Sequence, residues 1–160
     1  MRPTGHCCGK GAALLIRELD QAETSTAYPV LRELRPRLST MADFLAAVGR
    51  QRQHGYRLIA ALDSQHRAVA AAGFRSGECL AWGSYLYIDD LCTLPRARGN
   101  GYAGELLRWI AREAAASGVG EIHLDSGNGR HTAHRLYASS GFTAPSTHFV
   151  RKLSTANAES

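Results

Sequence analysis

One stretch constrains this chain more than any other. Tyr85–Leu94 (YLYIDDLCTL) is an apolar run of strand length, and it leads into Pro95-Arg96-Ala97-Arg98-Gly99-Asn100-Gly101-Tyr102-Ala103-Gly104. An amphipathic run follows over Gly101–Ser117, with Leu106, Leu107, Ile110 and Ala114 at helical spacing and Gly118 to end it. A glycine-rich turn from strand to helix lets the backbone come close to a ligand. It also gathers the unpaired N–H groups of the helix start at one point, which suits an anion such as phosphate. Arg96 and Arg98 add charge for the same anion. The plainer reading is a tight turn whose glycines serve the backbone alone.

The rest of the chain reads as alternating elements. Ala13–Glu18 is a short strand, and Thr24–Leu34 a helix stopped by Pro36. A second helix starts near Thr40, capped by Ser39 or Thr40, with Asp43 in its first turn and Phe44, Leu45 and Val48 as its apolar stripe. Tyr56–Leu62 and Ala68–Phe74 form a hairpin about Asp63-Ser64-Gln65. Glu121–Asp125 is a strand, Thr132–Ser140 a helix closed by Gly141, and His148–Leu153 a last strand. The order β-α-α-β-β-β-α-β-α-β predicts a single mixed α/β fold over residues 12–153, with disordered tails at 1–11 and 154–160. A length of 160 residues suits one domain, which at this size buries about 70% of its unfolded surface.

Composition removes several classes. Hydrophobic residues at 44% and charged residues at 21% exclude a wholly disordered chain. The longest apolar runs, Leu58–Leu62 and Ala68–Phe74, fall far short of the ~18 residues of a membrane span. Met1–Ala13 carries Gly, Cys and His where a secretion signal would be apolar, so a cytoplasmic protein is expected. Cys7, Cys8, Cys79 and Cys92 make no disulfide framework, which agrees with a reducing compartment. His6-Cys7-Cys8 has no second ligand pair at zinc spacing, so no metal is expected. The net charge of +5 is almost all arginine, since Lys10 and Lys152 are the only lysines. Scattered arginines read as a solvated basic surface or as contacts to an anionic ligand. Without a basic helix, an aromatic platform or a zinc finger, nucleic acid is not an expected partner.

Two phosphate-binding readings compete. Gly99-x-Gly101-x-x-Gly104 fits a dinucleotide pattern, with Asp125 about 20 residues on as a ribose-binding acid. In that fold, however, the first glycine ends the strand directly, whereas Pro95–Arg98 intervene here. Too few residues follow Asp125 for the remaining strands. The other reading is an acyl-CoA site. Arg98-Gly99-Asn100-Gly101-Tyr102-Ala103 followed by Leu106-Leu107 resembles the Arg/Gln-x-x-Gly-x-Gly/Ala signature of the GNAT superfamily of acyl-CoA-dependent N-acyltransferases. Ala133-His134-Arg135-Leu136-Tyr137-Ala138-Ser139-Ser140-Gly141-Phe142 resembles that family's Ala-x-x-Leu/Phe-Tyr-x-x-x-Gly-Phe helix, and Tyr87–Pro95 its fourth strand.

The resemblance implies the GNAT fold, a single mixed central sheet with helices on both faces. It implies an enzyme that uses acetyl-CoA as cosubstrate and a small-molecule or peptide amine as acceptor, working as a monomer or homodimer. The backbone of Gly99, Asn100, Gly101, Tyr102, Ala103 and Gly104, beside Arg98, would hold the CoA pyrophosphate, and that of Leu91, Cys92 and Thr93 the pantetheine arm. Tyr137 would protonate the departing thiolate; a phenol with pKa near 10 carries its proton at neutral pH. Its plainer role is a core tyrosine. Arg130 stands where relatives often carry Asn, so that asparagine's role is not carried over; Arg130 could reach a CoA phosphate or simply be exposed.

A primary amine is mostly charged at pH 7, a handicap of roughly 4–5 kcal/mol from about 3.4 pKa units. Asp89 and Asp90 are the candidates to relieve it, because acids within a central strand demand a reason. Neighbouring strand residues face opposite ways, so one of the two should face the substrate unless a bulge intervenes, and the other should be structural. His148 is a weaker candidate, and His123, His131 and His134 are weaker still. In the loop Leu34-Arg35-Pro36-Arg37-Leu38, which shapes the acceptor pocket in such enzymes, Arg35 and Arg37 could meet an acidic group of the acceptor or stay solvated. Two other functions stand beside this one: an acyl-CoA-binding module without activity, and a nucleotide-cofactor oxidoreductase.

Overall fold

Strands β1 (Leu15–Glu18), β2 (Arg57–Leu62), β3 (Ala68–Cys79), β4 (Gly83–Thr93) and β5 (Glu121–Leu124) lie side by side in that order in one sheet. The first four are antiparallel neighbours, and β5 runs parallel to β4. A parallel step needs a crossover, which helix α3 (Tyr102–Ala116) provides. The computed structural model describes residues 15–153. These fall into two compact units, residues 15–124 and 125–153. The expected tails and His6-Cys7-Cys8 lie outside the described residues.

In the first unit the helices take both faces of the sheet. Arg57 and Phe74 face each other across β2 and β3. Phe74 packs its ring 6.2 Å from that of Trp109 in α3, and Arg57 donates to Glu113 of α3 at 2.8 Å. One residue on, Gly73 pairs with Asp90 on the opposite face, where Asp90 meets Arg35 at the C-cap of α1 (Tyr28–Leu34). Covered on both sides, Leu58–Leu62 and Ala68–Phe74 are buried without interruption, which explains their continuous apolar runs. Helix α2 (Met41–Arg52) starts where expected, with the Thr40 hydroxyl accepting from the Asp43 N–H at 3.0 Å. Leu106, Leu107, Ile110 and Ala114 form the buried stripe of α3. Among the described residues no helix is long and apolar enough to cross a membrane.

Three details of this unit differ from what the sequence predicts. Thr24–Ala27 is a 3-10 turn that leads into α1, so the first helix is shorter than its pattern suggests. Leu45 is 38% exposed, and Phe44 and Val48 alone are buried on α2. Strand β3 runs on to Cys79 and turns back through 80–82 into β4. The added stretch RSGEC has no apolar alternation; its pairing comes from β4, with Arg75 opposite Tyr87 and Gly77 opposite Tyr85.

The second unit carries α4 (His131–Ser139), which Gly141 closes as expected. No strand forms at His148–Leu153, so among the described residues the sheet has five strands where six were expected. An apolar run becomes a strand only with a ladder to join, and Phe149 stands 88% exposed.

Candidate functional site

The two acids of β4 sit at an irregularity. Gly73 pairs with Asp90 and Phe74 with Ile88, which leaves Asp89 as the extra residue of a β-bulge. The bulge overturns strict alternation, and Arg35 reaches both residues from one side. Its Nε donates to Asp90 Oδ1 at 2.8 Å and its Nη2 to the Asp89 carbonyl at 2.7 Å. The Tyr56 hydroxyl donates to Asp90 Oδ2 at 2.8 Å. Asp89 receives the Arg75 Nε at 3.0 Å, and the Arg75 guanidinium lies 5.3 Å from the centre of the Tyr87 ring. Both acids are therefore paired, as partial burial requires: the Asp90 side chain is 12% exposed and that of Asp89 25%.

Tyr56 is buried, and burial first, then the negative charge of Asp90, pushes its phenol well above the ordinary range. It is a permanent donor at neutral pH. Its ring fits because residue 73 is glycine, where an added Cβ would overlap the hydroxyl. Leu31, Arg35, Leu38, Phe44, Tyr56 and Asp90 line a cavity of about 220 Å³ between the helices and the bulge, and Arg37 also reaches it. Arg35 thus corrects the reading of its loop. Half exposed, it is engaged by the Asp90 carboxylate and the Asp89 carbonyl.

Beyond the bulge, the ladder from β4 to β5 ends at Ile88 and Leu124, while Leu91, Cys92 and Thr93 continue against Ala72, Ala71 and Ala70 of β3. The Thr93 hydroxyl is buried without a hydrogen-bond partner, and the Thr93 carbonyl accepts from Arg98 Nε at 3.3 Å. Pro95–Ala97 makes a 3-10 turn, and Asn100 Nδ2 ties the loop back to the Ala97 carbonyl at 3.0 Å. Gly99 and Gly101 hold φ of +82° and +78°, a region that favours glycine. Gly101 is the N-cap of α3, and no side chain caps the helix. The first helical bond runs from the Glu105 N–H to the Gly101 carbonyl. The N–H groups of Tyr102, Ala103 and Gly104 therefore have no acceptor within the helix. Open backbone donors, the helix dipole, Arg98 and free space at both glycines fit a pyrophosphate.

Tyr137 lies in the second unit, half-buried on α4, with its ring 6.0 Å from that of Phe142. Burial raises its phenol pKa, and the nearby charge of Arg130 opposes the rise. The hydroxyl keeps its proton at neutral pH. The weaker histidine candidates have other partners: His123 meets Glu121 at 2.9 Å and stacks on Trp82, His148 meets Asp125 at 3.1 Å, and His131 packs against His134. Asp89, Asp90, Leu91–Thr93 and the glycine loop share the first unit. Sequence reasoning missed Tyr56 and Arg75. Gly73, a glycine inside an otherwise apolar strand, was the one local signal of a close approach.

A mixed sheet whose bulged acidic strand runs into an open glycine loop at a helix start suits a ligand that carries phosphate. Residues 15–142 match the Acetyltransferase (GNAT) family, and the chain belongs to that family. It is an acyl-CoA N-acyltransferase, an enzyme class that acts on amine acceptors. It is similar to an uncharacterized N-acetyltransferase, YhdJ, of Bacillus subtilis (strain 168), with 32% identity over 126 residues, 78% of this chain and 87% of that protein. The fold is shared with the aminoglycoside N-acetyltransferase AAC(6')-Iy solved with CoA (TM-score 0.78, 17% identity, 91% of this chain and 99% of that one). It is shared too with a ribosomal-protein-alanine N-acetyltransferase from Brucella melitensis biovar Abortus 2308 (TM-score 0.73, 18% identity, 88% and 100%).

Proposed function

We propose that residues 12–153 work as one cytoplasmic N-acetyltransferase domain that moves acetyl from acetyl-CoA to a primary amine of a small molecule or peptide by direct attack in a ternary complex. The observation that carries this reading is the bulged acidic strand running into the open loop at Gly99–Gly104. Acetyl-CoA supplies the activated thioester. The loop N–H groups and Arg98 hold its pyrophosphate, and the backbone of Leu91, Cys92 and Thr93 lines its pantetheine. Amides of β4 bind the negative charge that develops on the carbonyl oxygen.

The bulge separates the roles of the acids. Both oxygens of Asp90 already accept from Arg35 and Tyr56, so Asp90 holds the strand. Asp89, the more exposed acid, whose two oxygens share the single Arg75 Nε, takes the amine proton directly or through water. The neutral amine nitrogen then bonds to the carbonyl carbon and sheds its second proton to solvent, the carbon–sulfur bond breaks, and Tyr137 gives its proton to the sulfur and regains one from solvent.

The test is thiol release from acetyl-CoA across a panel of amines. Acceptor-dependent release is expected, and Tyr137→Phe should lower turnover by about a hundredfold with acetyl-CoA affinity kept. Release that no amine accelerates would favour a binding module, and unchanged turnover in Tyr137→Phe would remove that residue from the mechanism.

A further inference from the structure

We infer that Arg35 and Tyr56 are positioning residues: together they clamp the β4 bulge in the geometry that receives the cosubstrate, and so tie the loop after α1 to the reacting strand. The inference rests on the acetyl-CoA reading above.

A bulge is a soft point in a sheet, because its extra residue has no ladder partner of its own. Here two side chains remote in sequence, Arg35 and Tyr56, supply what the ladder lacks. Arg35 grips two adjacent residues with one planar fork, taking the Asp90 carboxylate through Nε and the Asp89 carbonyl through Nη2. The described backbone has no cis peptide bond, so fixing the Asp89 carbonyl also fixes the direction of the Asp90 N–H. Tyr56 closes the clamp on the second oxygen of Asp90, across the gap that Gly73 leaves open.

The Arg35 side chain is 53% exposed but that of Asp90 is 12% exposed, so the fork both neutralises a largely buried carboxylate and fixes a main-chain carbonyl. Its consequence lies in geometry. The strand leaves the bulge directly into Leu91, Cys92 and Thr93, so a shift of the peptide between Asp89 and Asp90 is passed to the backbone that lines the pantetheine. Arg35 also lines the cavity under the loop after α1, so whatever fills that cavity presses on the clamp.

Amide hydrogen exchange followed by mass spectrometry, together with acetyl-CoA titration, tests this on the full chain as wild type, Arg35→Met, Arg35→Lys and Tyr56→Phe. Arg35→Met should speed exchange in peptides over residues 86–93 by about tenfold, the scale of a lost charged hydrogen bond, with α3 unchanged. It should also weaken acetyl-CoA binding by about tenfold. Arg35→Lys, which keeps the charge and loses the fork, should recover part of both. Tyr56→Phe, which keeps the ring, should show the same signs at smaller size. Unchanged exchange would overturn the clamp. Faster exchange with unchanged affinity and no recovery by lysine would overturn its positioning role and leave a structural contact. If the wild type fails to bind acetyl-CoA, the reading under Proposed function falls, and the exchange comparison alone decides the clamp.

Discussion

The two ends of one stretch, the acidic bulge at Asp89–Asp90 and the glycine loop at Gly99–Gly104, are built in opposite ways. The bulge is held by side chains, Arg35, Tyr56 and Arg75, which take up the carboxylates and a carbonyl. The loop is held by backbone geometry, two glycines at positive φ and one asparagine side chain turned inward, and it leaves its N–H groups unspent. A group that moves protons must stand in a fixed place, and a rigid side-chain network provides that. A site that receives a large anion needs donors free until the anion arrives. The difference predicts that the two regions will fail differently when altered.

The largest effect should come from the loop. Gly101→Val places a β-branched residue in the left-handed N-cap of α3, which costs about 1–2 kcal/mol of backbone strain and turns the amides away from the ligand. Acetyl-CoA affinity, read by calorimetry, should fall by about a hundredfold while the bulge peptides keep their exchange rates. Gly73→Ala comes next. Its Cβ would overlap the Tyr56 hydroxyl, so the fold should lose about 2 kcal/mol in denaturant titration. In a Tyr56→Ala background the same change should cost far less, and equal losses in both backgrounds would break the link between the two residues.

These contrasts also explain what could be read from the sequence. The loop was legible because its parts are neighbours: the strand, Arg98, Gly99, Gly101 and the apolar stripe of α3 all lie between Tyr85 and Ala114. The bulge was not. Asp89 and Asp90 marked themselves as acids in a strand, but their partners stand 14, 34 and 55 residues away. No local pattern announces such a pairing. The same reasoning covers His148–Leu153, whose residue types favour a strand while strand formation depends on a partner ladder. Leu45 shows the smaller version, since a helical stripe gives the face and tertiary packing decides its width.

The smallest predicted effect is a pH dependence. The Tyr56 phenol is held well above its unfolded value near 10, so above about pH 10 the unfolded chain releases a proton that the folded chain keeps. Its contribution to stability is complete below that pH and is lost as pH rises further. Tyr56→Phe should therefore flatten the alkaline fall in stability measured by denaturant midpoints. An equally steep fall in the variant would show that ionisation of Tyr56 does not set the alkaline limit.

The central claim is that the open loop after the bulged strand is an acyl-CoA site, and titration of the purified chain with acetyl-CoA and with NADH by calorimetry tests it most directly. Saturable acetyl-CoA binding, with NADH weak or silent, is the predicted result. Tight NADH binding without acetyl-CoA binding would contradict it, and the roles given to Tyr137 and Asp89 would fall as well.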